Sequence, residues 1–552
     1  MRRYIWLILI ILLASVLRFW QLGNVPPSPD WDEAALGYNA YSILKTGRDE
    51  YGTWFPLSLR SFDDYKPPLY MYLAIPSIAV FGLETWAVRL PSAIMGVLAV
   101  IGTYFLVLEL FGKLEIRNLT LQKLALLSAM LLAISPWHLQ FSRIAFEANI
   151  GVTINIWAVT FFLKGLRSRK SLFVSAVLFG LGFYAYHSER IFLPLLLIIL
   201  ALNWRRHLWQ TRKSLIAPII VGIVTVAPLI PVFFNQSTLT RLRGTSSLAD
   251  QTGLLSRSVL KLEDDLETGN PWGVLFDNRR LVWAGTLLNG YLSHYSFRWL
   301  FVAGDNPRHH APDMGLLYLV ELPLLLWGMY SVARIGGNVA RVLFGWFLIA
   351  PIAASPTTEL PHAIRTLVFL PTFQIFTALG IASLISKIKD SRESGSSSAR
   401  QKYLMPAVVV ALLILFGLNI TYYLHMYFGH MNREVSQFWQ YGYKQAVEYA
   451  KANKDKYKKV VVSTKLEQPH MFFLYYLKYD PLRYLQEGGT ASGGFAEAEN
   501  RFDIYEFRPI QWDKEVKDGL TMYIGTPKEI SSANLATIYY LDGTQAIKIS
   551  DH

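Results

Sequence analysis

Cysteine is absent from all 552 residues. That excludes disulfides, thiolate metal sites and cysteine nucleophiles together, while leaving the compartment open. Charge is scarce too: 17% of residues are charged and 52% hydrophobic, with a mean hydropathy of +0.28. This balance reads as a multi-span membrane protein. The sixteen Trp and thirty Tyr fit a chain with many membrane–water boundaries, where amphipathic rings settle. The net charge of +13 does not call for nucleic acid. Much of the excess lies in short loops between apolar runs, the pattern of a basic cytoplasmic membrane face, so no nucleic-acid partner is expected.

Residues 1–20 begin with Arg2 and Arg3 and continue as an apolar run, as a signal peptide would. No small-x-small cleavage site follows and further apolar runs do, so an uncleaved first helix is expected. Runs of bilayer-crossing length fall near 5–21, 86–110, 123–141, 148–165, 171–187, 190–203, 213–234, 313–333, 341–356, 363–386 and 403–428. The run at 68–82 is short, opens on Pro67-Pro68 and contains Pro76. Charge decides it. If it lies along the surface, Lys113, Arg117 and Lys123, then Lys164 to Lys170, Arg205 to Lys213, Arg334, Arg341 and Lys387 to Lys402 all share the side of Arg2 and Arg3. If it crosses, nearly every basic loop faces outward, against the positive-inside rule. The expectation is therefore eleven spans in a membrane domain of 1–428, with the N-terminus cytoplasmic. The Ser-rich stretch Asp390–Arg400 reads as a cytoplasmic linker.

Beyond 429 the pattern turns soluble. Glu434–Asn453 reads as a helix, and Lys459–Ser463, Arg501–Phe507, Leu520–Ile524 and Ala536–Leu541 as strands. Residues 429–552 are thus expected to form a small extracytoplasmic α/β domain.

This topology gathers polar clusters at the outer face. They are Asp30-Trp31-Asp32-Glu33, Asp63-Asp64-Tyr65-Lys66-Pro67-Pro68, Arg143 with Glu147, His187 with Glu189 and Arg190, and His362 with Arg365. Charges beside apolar runs are costly unless paired or used. Each cluster has a bland reading. Asp32 reads equally as the cap of a following helix, with Glu33 favouring its N-terminal dipole, or as a base. Lys66 and Arg190 are long enough to snorkel, Arg143 and Glu147 have i,i+4 spacing, and His362 and Arg365 suit interface anchors. The segment Ala34–Thr46, with Leu36, Ala40, Ile43 and Leu44 on one stripe, fits a helix lying flat on the membrane. Asp63 and Asp64 are a weak divalent-cation signal, and no metal or other cofactor is expected.

An acidic pair before a flat helix, Lys66-Pro67-Pro68 before an apolar run, and Val88-Arg89-Leu90-Pro91 opening the next span together resemble the GT-C glycosyltransferases. The nearest branch is similar to the protein O-mannosyltransferase family (family 39) and its bacterial relatives, including the lipid A aminoarabinose transferase. Ser135–Glu147 adds to the likeness, which covers the membrane part and not the tail. The resemblance implies a GT-C fold of about eleven transmembrane helices plus juxtamembrane helices. It implies inverting transfer from a polyprenyl-phosphate-linked sugar to a lipid, glycan or protein acceptor at the outer face. It places the base at Asp32, a supporting acid at Glu33, the second-loop acid at Glu147 and the phosphate contact at Lys66. Arg143, Arg190, Tyr65, His187, His362 and Arg365 complete the expected donor-binding set. Two positions depart from the pattern: Tyr65 stands where relatives often carry a carboxylate, and Glu147 where Asp is frequent. The tail does not look like the lectin-like insert of eukaryotic protein mannosyltransferases. The rival readings are a lipid or saccharide transporter or flippase, and a non-catalytic partner in cell-envelope assembly. Against a transporter, the charges gather on one face and no inverted repeat is visible.

Overall fold

The computed structural model describes residues 4–62, 64–112, 120–234, 244, 246–393, 399–493, 500–531 and 534–552, without the side chains of 388–405. Asp63, Lys113, Arg117 and residues 394–398 of the Ser-rich stretch lie outside the described residues. The chain forms two compact units. One comprises residues 1–100, 138–153 and 420–552; the other comprises 101–137 and 154–419.

Helices occupy every apolar run that composition singles out. Among the described residues, four are long and apolar enough to cross a bilayer: Thr85–Phe111, Arg212–Phe233, Leu367–Lys387 and Pro406–Glu434. The pair Leu121–Ile134 and Pro136–Ser142 makes a fifth if it is one broken span. Ile5–Phe19 and Gly337–Ile349 are apolar but shorter. Ile216, Ile219, Ile220 and Ile223 on the Arg212–Phe233 helix are all exposed, as are Leu413, Ile414 and Leu418 on Pro406–Glu434. Apolar faces of this extent need an apolar solvent, which makes the chain a membrane protein.

In the first unit, α1 (Ile5–Phe19) is followed by α2 (Trp31–Thr46), a hairpin of β1 (Leu59–Ser61) and β2 (Asp64–Lys66), then α3 (Leu69–Phe81) and the start of α4 (Thr85–Phe111). The hairpin register sets Leu59 opposite Lys66 and Arg60 opposite Tyr65. The α2 helix ends where Gly47 adopts φ +73, a left-handed cap that costs glycine nothing. Its apolar stripe does not face lipid. Leu36 and Ala40 are fully buried and Ile43 nearly so, packed against α3 and the later helices Pro469–Leu477 and Pro481–Gln486; only Leu44 is exposed. The periodicity predicted an apolar contact correctly and its partner wrongly, since a stripe does not distinguish lipid from protein.

The C-terminal part of this unit carries a six-stranded mixed sheet in the order β4-β5-β3-β6-β8-β7, with β3 (Lys459–Val462), β4 (Asn500–Phe502), β5 (Tyr505–Phe507), β6 (Thr521–Gly525), β7 (Ala536–Tyr539) and β8 (Gln545–Ser550). β3 pairs in parallel with β5 and β6, and the outer pairs are antiparallel. Val460, Val461 and Val462 are fully buried, as a central strand covered on both faces requires. The expected strand Arg501–Phe507 is a tight hairpin instead, turning at Asp503 with φ +50.

In the second unit, the helices Glu321–Ile335 and Thr372–Glu393 approach closely at two glycines. A Cβ on Gly328 would meet the Phe376 carbonyl oxygen at 1.7 Å, and one on Gly380 the Leu324 oxygen at 1.9 Å. Small residues at such crossings let backbones approach where no hydrophobic drive separates protein from lipid.

Candidate functional site

The N-terminus of α2 is built around a buried ion pair. Asp30, not Asp32, is the helix cap: its side chain accepts from the Glu33 N–H, and Glu33 reaches back to the Asp30 N–H. This reciprocal box satisfies two of the four free donors of a helix start. The Glu33 carboxylate also accepts from Arg89 Nε at 2.8 Å, from Arg89 Nη2 at 2.7 Å and from the Ala145 N–H at 2.7 Å. The remaining Arg89 donors reach the carbonyls of Leu22, Pro26 and Ser28 at 2.8–3.1 Å. Both partners are removed from water. Glu33, expected as a supporting acid, is a positioning residue that ties α2, α4 and the 143–147 joint together.

Asp32 lies in the same first turn and is left with no capping duty. Its side chain is 31% exposed and forms an ion pair with Lys66, which is nearly buried at the end of β2. Burial works against the Lys66 charge, but the carboxylates of Asp32, Glu147 and Asp64 outweigh it and hold the ammonium above its ordinary range. Strand alternation sends Asp64 and Lys66 to one face and Tyr65 to the other. Tyr65, expected beside the phosphate, is therefore turned away from Lys66.

Glu147 is nearly buried in the joint between Pro136–Ser142 and Ala148–Gly165. Arg143 sits in the same joint, and its five N–H groups are all used. Nε donates to the Tyr427 hydroxyl at 3.1 Å, Nη1 to the carbonyls of Leu17 (2.8 Å) and Arg18 (3.1 Å), and Nη2 to those of Gln21 (3.4 Å) and Val25 (3.1 Å). Expected to hold phosphate, Arg143 instead satisfies the Leu17 and Arg18 carbonyls that α1 leaves open at its end, and those of Gln21 and Val25 just beyond it. The joint is not helical, so the i,i+4 spacing of Arg143 and Glu147 does not act as a helical pair. Two residues the sequence reading left without a role emerge here. Asp30 is the cap and Arg89 is the anchor; a lone arginine opening an apolar span was the available signal for the second.

The other expected residues belong to the second unit. His187 and Arg190 flank the start of Glu189–Asn203, where the Arg190 guanidinium lies 5.1 Å from the Phe233 ring centre. Glu189 between them is fully buried and accepts both Asn155 Nδ2 contacts at 2.9–3.0 Å. Arg365 Nη1 donates to Thr357 Oγ1 at 2.7 Å and to the Thr358 carbonyl at 2.6 Å. His362 packs its ring 4.9 Å from that of His309.

A family described as dolichyl-phosphate-mannose-protein mannosyltransferase matches residues 65–231. No curated protein matches by sequence. Among solved structures, ArnT from Cupriavidus metallidurans in the apo state is 13% identical over 99% of this chain and 97% of its own, with a TM-score of 0.55. ArnT bound to undecaprenyl phosphate is 14% identical over 99% and 98%, with a TM-score of 0.53. The Archaeoglobus fulgidus oligosaccharyltransferase with Zn and sulfate is 13% identical over 85% of this chain and 61% of its own, at 0.51. At such identities the likeness is one of fold, and it runs through nearly the whole chain. The shared architecture gives the chain the fold of the GT-C glycosyltransferases, and the family match covers residues 65–231 of it.

Proposed function

We propose that the chain transfers a sugar from a polyprenyl-phosphate-linked donor to an acceptor hydroxyl at the outer membrane face, with inversion. The observation that carries this reading is the Asp32–Lys66 pair. A partly exposed carboxylate without a capping role faces a nearly buried, charged lysine. In the proposed step the acceptor oxygen attacks the anomeric carbon as the bond from that carbon to the phosphate oxygen breaks. The electron pair leaves with the lipid phosphate, whose growing charge Lys66 stabilises. The proton of the acceptor hydroxyl passes to Asp32. Lipid phosphate is a good leaving group, so no strong general acid is needed. Glu147 contributes to the field that keeps Lys66 charged. The binding of undecaprenyl phosphate by ArnT supports the lipid class of the donor.

The test is Asp32→Asn, assayed with a short-chain polyprenyl-phosphosugar. Because Asp30 is the cap, the substitution leaves the helix start intact; it removes the base together with one of the three carboxylates that face Lys66. Donor affinity is expected to hold while turnover falls roughly 10²–10⁴-fold. Turnover near that of the wild type overturns the reading. Glu33→Gln serves as a contrast: it uncouples the Arg89 ion pair and is expected to lower stability, on the order of the 3–5 kcal/mol typical of breaking a buried pair.

A further inference from the structure

In the second unit, a tight turn and a distant loop bring three metal-ligating side chains together. Asp305, His309 and His362 each offer one ligand atom, and these atoms lie within 4.8 Å of one another. The placement is built. The His309 N–H closes a turn onto the Asn306 carbonyl at 2.7 Å, and the Asp305 carboxylate accepts from the Ala363 N–H at 2.7 Å, which binds turn to loop. His294 fixes the third member. Its Nδ1 lies 2.8 Å from the Gly290 carbonyl, so Nδ1 carries the proton and Nε2 accepts the His362 N–H at 3.2 Å.

Two polar atoms of the cluster stay unsatisfied. Asp305 Oδ1 and His362 Nδ1 are both buried without a hydrogen-bond partner. A buried carboxylate oxygen and a buried imidazole nitrogen without partners are each costly, and native proteins rarely leave such groups open. One cation between them would satisfy both. His309 Nδ1 and Asp305 Oδ2 lie 2.9 Å apart, close enough for the two side chains to face one ion.

We propose that Asp305, His309 and His362 bind one divalent transition-metal ion of the zinc type. Two imidazoles and one carboxylate are a ligand set suited to zinc, with one coordination position left for an exchangeable oxygen. Magnesium and calcium, which prefer all-oxygen shells, fit it poorly. The ion would join the turn at 305–309 to the loop at 362.

The experiment is Zn2+ titration of the purified full-length protein after chelator treatment, with bound metal counted by elemental mass spectrometry. It is done in a His430→Ala background, because His425 and His430 form a separate exposed pair at 3.1 Å that would take up metal adventitiously. One Zn2+ per chain is expected. Asp305→Asn, which keeps shape and loses charge, and His362→Gln should each weaken it by at least about tenfold. The same Zn2+ occupancy and affinity in both variants, or no uptake by the parent, overturns the proposal. If His362→Gln fails to fold, Asp305→Asn alone decides.

Discussion

Lys66 is a buried ammonium held charged by three carboxylates, and each replacement separates a different part of its role. Lys66→Ala removes the cation and leaves Asp32, Glu147 and Asp64 without it. Affinity for polyprenyl phosphate should fall, and turnover should drop by about 10²–10³, the usual cost of losing one stabilising donor in a water-poor site. Lys66→Arg keeps the charge but spreads it over a planar fork, so an intermediate loss is expected. Unchanged affinity for polyprenyl phosphate in Lys66→Ala removes this residue from the donor site. At this scale the sequence carried residue types but not their division of labour. Asp30, Asp32 and Glu33 are three acids within four positions, and composition could not say which caps, which anchors and which is left over. That depends on Arg89, 56 positions later, and on where the backbone first turns helical. Nor could it show Arg143 spending its donors on Tyr427 and on the carbonyls at and just beyond the end of α1.

At the scale of elements, α2 holds the candidate site in place and the C-terminal segment holds α2. Gly37 leaves no room beyond itself: a Cβ there would lie 2.9 Å from the Tyr475 ring. The Tyr38 hydroxyl donates to the Tyr479 carbonyl at 3.2 Å. Deletion from Asn432 onward is therefore expected to leave membrane insertion intact but to expose α2 and abolish sugar transfer. An unaltered transfer rate would mean that α2 stands without its cover. The second fastening is Glu50, fully enclosed, which accepts from Asn39 at 3.0 Å and from the Thr490 hydroxyl at 2.6 Å. Burial, the largest influence, pushes its carboxyl up to about 7, against the lowering effect of those hydrogen bonds and of Arg60, and Asp49 adds to the rise. A raised acid is favoured in its protonated form when folded. Its contribution is fully present below the unfolded value of 4.5 and is lost as pH rises through about 7. The nearby His470 ring, lowered to about 3 by burial, acts oppositely below its unfolded value of 6.5. The informative quantity is thus wild type minus Glu50→Gln. Their difference in thermal stability should shift against the wild type by up to about 3 kcal/mol between pH 4.5 and 8, and a constant difference would show that Glu50 does not titrate there. Helix positions were readable from apolar runs, whereas β8 and the hairpin turning at Asp503 were not. Short strands covered by distant segments leave little periodicity to read.

For the whole molecule, we propose the sidedness that basic-loop parity gives, and α3 supports it. That helix has 13 residues, about 20 Å at 1.5 Å per residue, too short for a hydrocarbon core of about 30 Å. It folds back on the start of α4, with the Tyr70 hydroxyl donating to the Val88 carbonyl at 2.9 Å and Ser77 to Ala87 at 2.7 Å. A non-crossing α3 is what parity requires. Contacts within each unit agree with it. Arg167 pairs with Glu109, and Asn203 reaches the Asn338 carbonyl at 3.1 Å, joining loops assigned to the basic side. Ser246 bridges to Thr357, and Asn432 donates to the Asn24 carbonyl at 2.6 Å, joining loops assigned to the opposite side. Neither set needs a bilayer-length detour of the chain. Reporter fusions after Ser168 and Ser397 are therefore expected to read cytoplasmic, and a fusion after Gly429 external. A cytoplasmic reading at Gly429 would mean that α3 crosses after all or that another helix does not, and it would move the C-terminal segment, with the α2 site it covers, to the wrong face for an outer-leaflet donor.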